Sequence, residues 1–120
     1  MRNSPTTIGP KGSSARGRAS GKRLWKAKDS ARHEHEYTIW ERVKLPGGKI
    51  LAPGVVTHST PLIEHPELVA QRIQRFAKAV GKENVVASTD CGLGLRCHPQ
   101  IAWAKLKALS EGAALASRAM

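Results

Sequence analysis

The sequence predicts an α/β fold, and three observations carry that prediction. Two apolar, β-branched runs, residues 49–57 and 84–89, read as strands. Each is followed by an amphipathic segment opened by a proline, at Pro66 and at Pro99. The order strand–helix–strand–helix, with a connection of helical length, makes the strands parallel and the crossover right-handed. Two parallel strands do not make an independent fold, because parallel sheets are covered on both faces and contain more strands. The chain therefore reads as a piece of something larger.

Residues 1–30 read as a disordered basic leader, rich in Gly, Ser, Pro, Lys and Arg, in which only Ile8, Leu24 and Trp25 offer an anchor. The segment Glu34 to Val43 fits helix or strand, and the spacing of Tyr37, Trp40 and Lys44 favours a short helix. Pro46-Gly47-Gly48 is a turn, and Pro53-Gly54 breaks or bulges the first strand. In the first long helix Val69, Ile73, Phe76 and Val80 form the buried stripe, Glu67 sits at the positive end of the dipole, and Gly81 stands at the left-handed C-cap. In the last helix Ala102, Leu106, Leu109, Ala113 and Ala116 form the expected stripe.

The 120 residues allow at most one small domain, and the formal charge of +11 is unevenly spread. Residues 1–30 hold eight basic groups and one acid, whereas the other 90 residues carry a net charge of only +4. Clustered Lys and Arg would suit a nucleic-acid-binding arm that releases counterions from phosphates. Trp25 alone is too little aromatic surface for a stacking platform, so a solvated leader, or sequence from outside an ancestral reading frame, is the preferred reading. The leader lacks the apolar region of a secretory signal, and its Gly and Pro content argues against an organelle transit helix. No apolar run approaches the roughly 20 residues that span a membrane. Two cysteines, Cys91 and Cys97, do not make a secreted disulfide framework, which places the chain in a reducing compartment, the cytoplasm.

Chemistry concentrates after the strands. Asp90-Cys91-Gly92 closes the second strand, on the face where α/β proteins build their sites, which makes Cys91 a candidate metal ligand or thiolate nucleophile. His58 follows the first strand, and adjacent parallel strands bring their C-terminal ends to one rim. Zinc sites need three protein ligands plus an open position for catalysis, and no third ligand stands at a recognisable spacing. A helix N-terminus would activate the Cys97 thiol, but a neutral loop cysteine beside His98 as an N-cap is the simpler reading. His33-Glu34-His35-Glu36 places its histidines two apart, a spacing that does not share a helix face, so a solvated charged turn is preferred. Gly92-Leu93-Gly94 lacks the remaining glycine and lysine of a phosphate-cradling loop, and no signature supports a cysteine-protease pair.

Read as a whole, residues 31–120 resemble the C-terminal end of the cobalamin-independent methionine synthase family. The blocks that carry the resemblance are Arg-His-Glu-His-Glu at 32–36, Val-Lys-Leu-Pro-Gly-Gly-Lys-Ile-Leu at 43–51, Pro-Gly-Val-Val at 53–56 and Glu-His-Pro-Glu-Leu-Val-Ala at 64–70. They continue with Arg-Ile at 72–73, Arg-Phe-Ala at 75–77, Thr-Asp-Cys-Gly-Leu at 89–93, His-Pro-Gln-Ile-Ala-Trp-Ala-Lys-Leu-Lys-Ala-Leu at 98–109 and Glu-Gly-Ala-Ala-Leu-Ala-Ser at 111–117. The longer blocks look closest to bacterial and fungal methionine-synthase-like paralogues, and epoxide–thiol transferases share the same barrel.

The resemblance implies a TIM-type eight-stranded α/β barrel, of which residues 31–120 are a C-terminal fragment holding about the last two strand–helix units. It implies zinc, with Cys91 as the matching metal ligand, and a methyl transfer from a methylated folate to a thiol such as homocysteine, giving methionine. The family's other ligands, a His-x-Cys pair and a glutamate, come from earlier strands, and no His-x-Cys occurs in this sequence. His58 and Cys97 match no metal ligand of the family. The classical synthases carry Lys-Thr-Arg-like residues after Asp-Cys-Gly-Leu, where Gly94-Leu95-Arg96 stands here, with Arg96 available to an anion. The expectation is a truncated methyltransferase that is inactive alone, with a thiol substrate, a methylated folate and a complementing chain as partners. The alternatives are a small basic nucleic-acid-binding protein and an epoxide–thiol transferase-like fragment.

Overall fold

The computed structural model describes residues 23–26 and 31–120. Its strands are β1 (Arg23–Lys26), β2 (Lys49–Ala52), β3 (Gly54–Val56) and β4 (Ser88–Thr89), and its α-helices are α1 (Ile39–Arg42), α2 (Pro66–Val80) and α3 (Pro99–Ala119). A 3₁₀ helix over Ala31–Thr38 leads into α1, so the ambiguous segment resolves as helix. All strand pairings are parallel. The fold is mixed α/β, as expected.

The run from Lys49 to Val56 is the spine of the molecule and is interrupted where the sequence placed the break. Pro53 has no N–H to give, and the register shifts between Gly54 and Val56. Its carbonyl still serves the ladder, accepting from Ser88 N at 3.2 Å and Ser88 Oγ at 3.1 Å. The strand expected over 84–89 is regular only at Ser88–Thr89. Its ladder is longer, because Val86 N donates to Leu51 O at 2.8 Å and Asp90 N donates to Val56 O at 2.9 Å.

Four residues of the segment read as a basic leader are ordered. Arg23–Lys26 forms β1, which pairs with β2 in the register Arg23↔Lys49 to Lys26↔Ala52. β2 therefore has a neighbour on each side, β1 and Val85, where a single neighbour was anticipated. An unpaired strand edge leaves backbone N–H and C=O groups unsatisfied, and β1 supplies partners for them. The rest of the leader, residues 1–22 and 27–30, lies outside the described residues.

α2 begins as the sequence dictates. His65 caps it by accepting from Glu67 N at 3.1 Å, Pro66 takes the first helical position, and Val69, Ala70, Ile73, Phe76 and Ala77 are buried. Gly81 ends the helix at φ 96° and ψ 136°, a glycine-only conformation outside the left-handed helical region expected there. Val55, Val56, Val69, Ala70, Ile73 and Ala116 form the core between β3, α2 and α3.

α3 buries a face shifted from the one anticipated: Ala116 is buried and Leu109 and Ala113 pack against the core as expected, whereas Leu106 does not. Its buried residues are Lys105, Ala108, Gly112 and Ala116, while Leu106 is exposed and Ala102, Leu109 and Ala113 are half-buried. Two features turn the helix. A Cβ at Gly112 would lie 2.5 Å from Val69 Cβ and 2.9 Å from Pro66 O, so α2 and α3 touch where only glycine fits. Lys105, with 0% of its surface exposed, is drawn inward by Glu64, whose Oε1 lies 2.9 Å from its Nζ. The turn leaves Trp103, 72% exposed, on the outer face.

Candidate functional site

The parallel pairing of β3 with β4 brings the segments after them together. The Asp90 N to Val56 O hydrogen bond sets the register, and the Asp90 side chain then reaches the segment that follows β3. Asp90 Oδ1 accepts from the His58 backbone N–H at 2.9 Å and lies 2.8 Å from His58 Nδ1. One carboxylate oxygen thus grips both the backbone and the ring of His58. The His58 side chain is 19% exposed and that of Asp90 only 3%. The segments after the two strands share a rim as expected, but it is Asp90 that meets His58, a direct pair that strand order alone did not disclose.

This pair has the geometry of a proton-handling dyad. A carboxylate facing Nδ1 favours the tautomer with its proton there, which leaves Nε2 as the atom for proton exchange with a ligand. Burial pushes the Asp90 carboxyl up. The hydrogen bonds from the His58 ring and backbone N–H, the nearby Thr57 hydroxyl and the charge of His58 together outweigh it and hold the carboxyl below its ordinary 3.8.

That shift has a signed consequence for stability. The folded carboxyl releases its proton more readily than the unfolded one, so the unfolded chain binds more protons below about pH 5. The stabilisation is complete above the unfolded value and is lost as pH falls through the folded value. Asp90→Asn should start less stable than the native chain and lose less stability between about pH 5 and pH 3, as read by urea midpoints. An acid slope equal to that of the native chain would contradict this.

Cys91 is exposed, next to the dyad in sequence, with a free thiol. Cys97 is half-buried, with its Sγ 3.9 Å from the His58 carbonyl oxygen. His98 caps α3, its Nδ1 accepting from Gln100 N at 3.2 Å, as the sequence indicated. Arg96 is exposed on the 93–97 turn, where Leu95 adopts φ 67°. In the 3₁₀ helix over Ala31–Thr38, His35 is exposed and Glu36 half-buried, and the side chains of His33 and Glu34 lie outside the described residues.

Among the described residues no group of three or more His, Cys, Asp or Glu side chains is placed to hold a metal ion. The donors of the 90–91 segment say the same: Asp90 Oδ2 is buried without a hydrogen-bond partner, and Cys91 offers one exposed thiol. That is fewer donors than the three protein ligands a catalytic zinc takes. This donor set does not by itself fit a zinc ion. Two open depressions, of about 530 and 310 Å³, are lined by residues such as Tyr37, Trp40 and Arg75 and by Lys44, Lys49 and Asn84, and neither includes His58, Asp90 or Cys91.

Comparison with solved structures gives a match to a B12-independent methionine synthase from a Shewanella species, solved in complex with selenomethionine. The TM-score is 0.66 at 23% sequence identity, over 80% of this chain and 27% of that one. At that identity the likeness shows the fold. The chain spans about a quarter of the length of the synthase it matches. No protein-family model matches the sequence, and no curated protein matches it. No helix among the described residues is long and apolar enough to cross a membrane.

Proposed function

We propose that residues 31–120 form the closing strand–helix units of a methionine-synthase-like barrel, whose intact form transfers a methyl group to a thiol. The observation that carries this reading is the His58–Asp90 pair after parallel strands, with Cys91 next in sequence, on a fold similar to part of a B12-independent methionine synthase. In this reading His58, held by Asp90, manages the proton that a thiol acceptor loses or a folate donor gains. Cys91 would be one ligand of a zinc whose other ligands, the family's His-x-Cys pair and glutamate, come from the earlier strands of the barrel. The substrates are a thiol such as homocysteine and a methylated folate, and the setting is the cytoplasm. Residues 31–120 do not supply the remaining ligands and would be inactive alone. A complementing chain would restore the site.

The test is the mass and zinc content of the native protein immunopurified from its own cells. The expected result is a species much larger than 13.0 kDa, with bound zinc that is lost on Cys91→Ser. A lone species of 13.0 kDa without zinc overturns the reading.

A further inference from the structure

Lys105 and Glu64 form an ion pair that the chemistry above does not use. Lys105 is entirely buried in the middle of α3, and Glu64, at 9% exposure, ends the segment that leaves β3. Lys105 Nζ donates to Glu64 Oε1 at 2.9 Å and to the Leu62 carbonyl. The other Glu64 oxygen, Oε2, accepts from the Thr57 backbone N–H at 2.7 Å. Thr57 is buried and immediately precedes His58, and its hydroxyl lies 2.8 Å from Ser59 Oγ. The 57–64 segment is therefore closed on itself by one carboxylate and fastened to α3 by one ammonium group.

A buried ion pair is a poor source of stability, because the cost of desolvating two charges offsets their attraction and apolar residues of similar volume often do as well. What the pair supplies here is direction. Fixing the Thr57 N–H fixes the path of the chain into His58, whose own N–H and ring both have to meet Asp90 Oδ1. A small displacement of this segment would break two hydrogen bonds that share one acceptor.

We propose that Glu64 and Lys105 are positioning residues for the His58–Asp90 dyad, holding the 57–64 segment so that one Asp90 oxygen meets both the backbone and the ring of His58. The importance of the dyad rests on the functional reading above, but the positioning is a property of the free chain and is tested without zinc or substrate. The probe is NMR of the full 120-residue chain. In Glu64→Gln/Lys105→Met the Thr57 N–H keeps an oxygen acceptor while the fastening to α3 is lost. The expected result is at least a tenfold loss of hydrogen-exchange protection at the His58 amide and disappearance of the hydrogen-bonded ring Nδ1–H signal. Lys107→Met, on the exposed side of the same helix, should change neither. A merely structural role lowers the global unfolding temperature and leaves the ring signal of the folded molecules in place. If that variant does not fold, Glu64→Leu/Lys105→Met is read in the same way. Exchange in the native chain supplies a test that needs no variant: the Thr57 and His58 amides should open together with the turn of α3 that carries Lys105. A folded variant with His58 protection within twofold of native and an unchanged ring signal overturns the proposal. So does native-chain exchange in which His58 opens independently of Thr57 and α3.

Discussion

Lys105→Met should cost about 3–5 kcal/mol of folding stability, the largest single-site loss expected in this chain. The substitution keeps the length of the side chain and removes its charge. It strands the Glu64 carboxylate in a buried position, where its Oε1 loses the ammonium at 2.9 Å and the Leu62 carbonyl loses a donor. An uncompensated buried charge is far more expensive than a missing neutral contact. The companion experiment has the opposite sign. Glu64→Leu/Lys105→Met removes both charges, and it should recover most of the loss apart from the now unpaired Thr57 N–H, which costs about 1–3 kcal/mol. Urea midpoints at a constant m-value separate the two cases. A single variant as stable as the native chain would mean that Glu64 and Lys105 are not paired inside the protein.

Gly112→Leu should cost about 3 kcal/mol, at the upper end of the usual range for overpacking. Even the first added carbon would meet Val69 Cβ and Cγ1 at 2.5 Å and the Pro66 carbonyl oxygen at 2.9 Å. The side chain of Val69 is fully buried and Pro66 O belongs to the backbone that opens α2, so neither has room to retreat. Replacing a helical glycine returns up to about 1 kcal/mol of helix propensity, which is smaller than the cost of prising two helices apart. The same leucine at Ala114, on the exposed face, should change stability by no more than about 0.5 kcal/mol. Equal effects at the two positions would show that α2 and α3 do not pack through Gly112. A domain holds only about 5–15 kcal/mol of net stability, so either of these changes takes a large part of it.

The local devices of this fold were legible residue by residue. Pro66 and Pro99 open helices because a proline costs nothing at a position whose N–H has no intrahelical partner, and His98 caps the second as read, whereas the His65 cap of the first came only from the structure. Pro53 interrupts the central strand because it has no N–H for the ladder. The Val69, Ile73 and Phe76 stripe was legible because its 3.6-residue period matches a face that is apolar throughout. The convergence of His58 with the 90–91 segment was legible too, since parallel strands carry their C-terminal ends to one side.

The tertiary structure decided what depends on partners far apart in the chain. The apolar periodicity of α3 favoured a stripe through Leu106; Leu109, Ala113 and Ala116 of that stripe do face the core, but the buried face is shifted to take in Lys105 and Gly112 and to leave Leu106 out. Periodicity counts a lysine as outward because an unpaired charge does not survive burial. Glu64, 41 positions earlier, reverses that sign by supplying the opposite charge. The pairing of Arg23–Lys26 with β2 was hidden for a related reason: composition marks the leader as polar, while strand pairing is made by backbone groups that every residue carries. The dyad stands between these cases. Strand order brought His58 and Asp90 to one rim, but a hydrogen bond demands placement to within a few tenths of an ångström, and only packing between elements sets that.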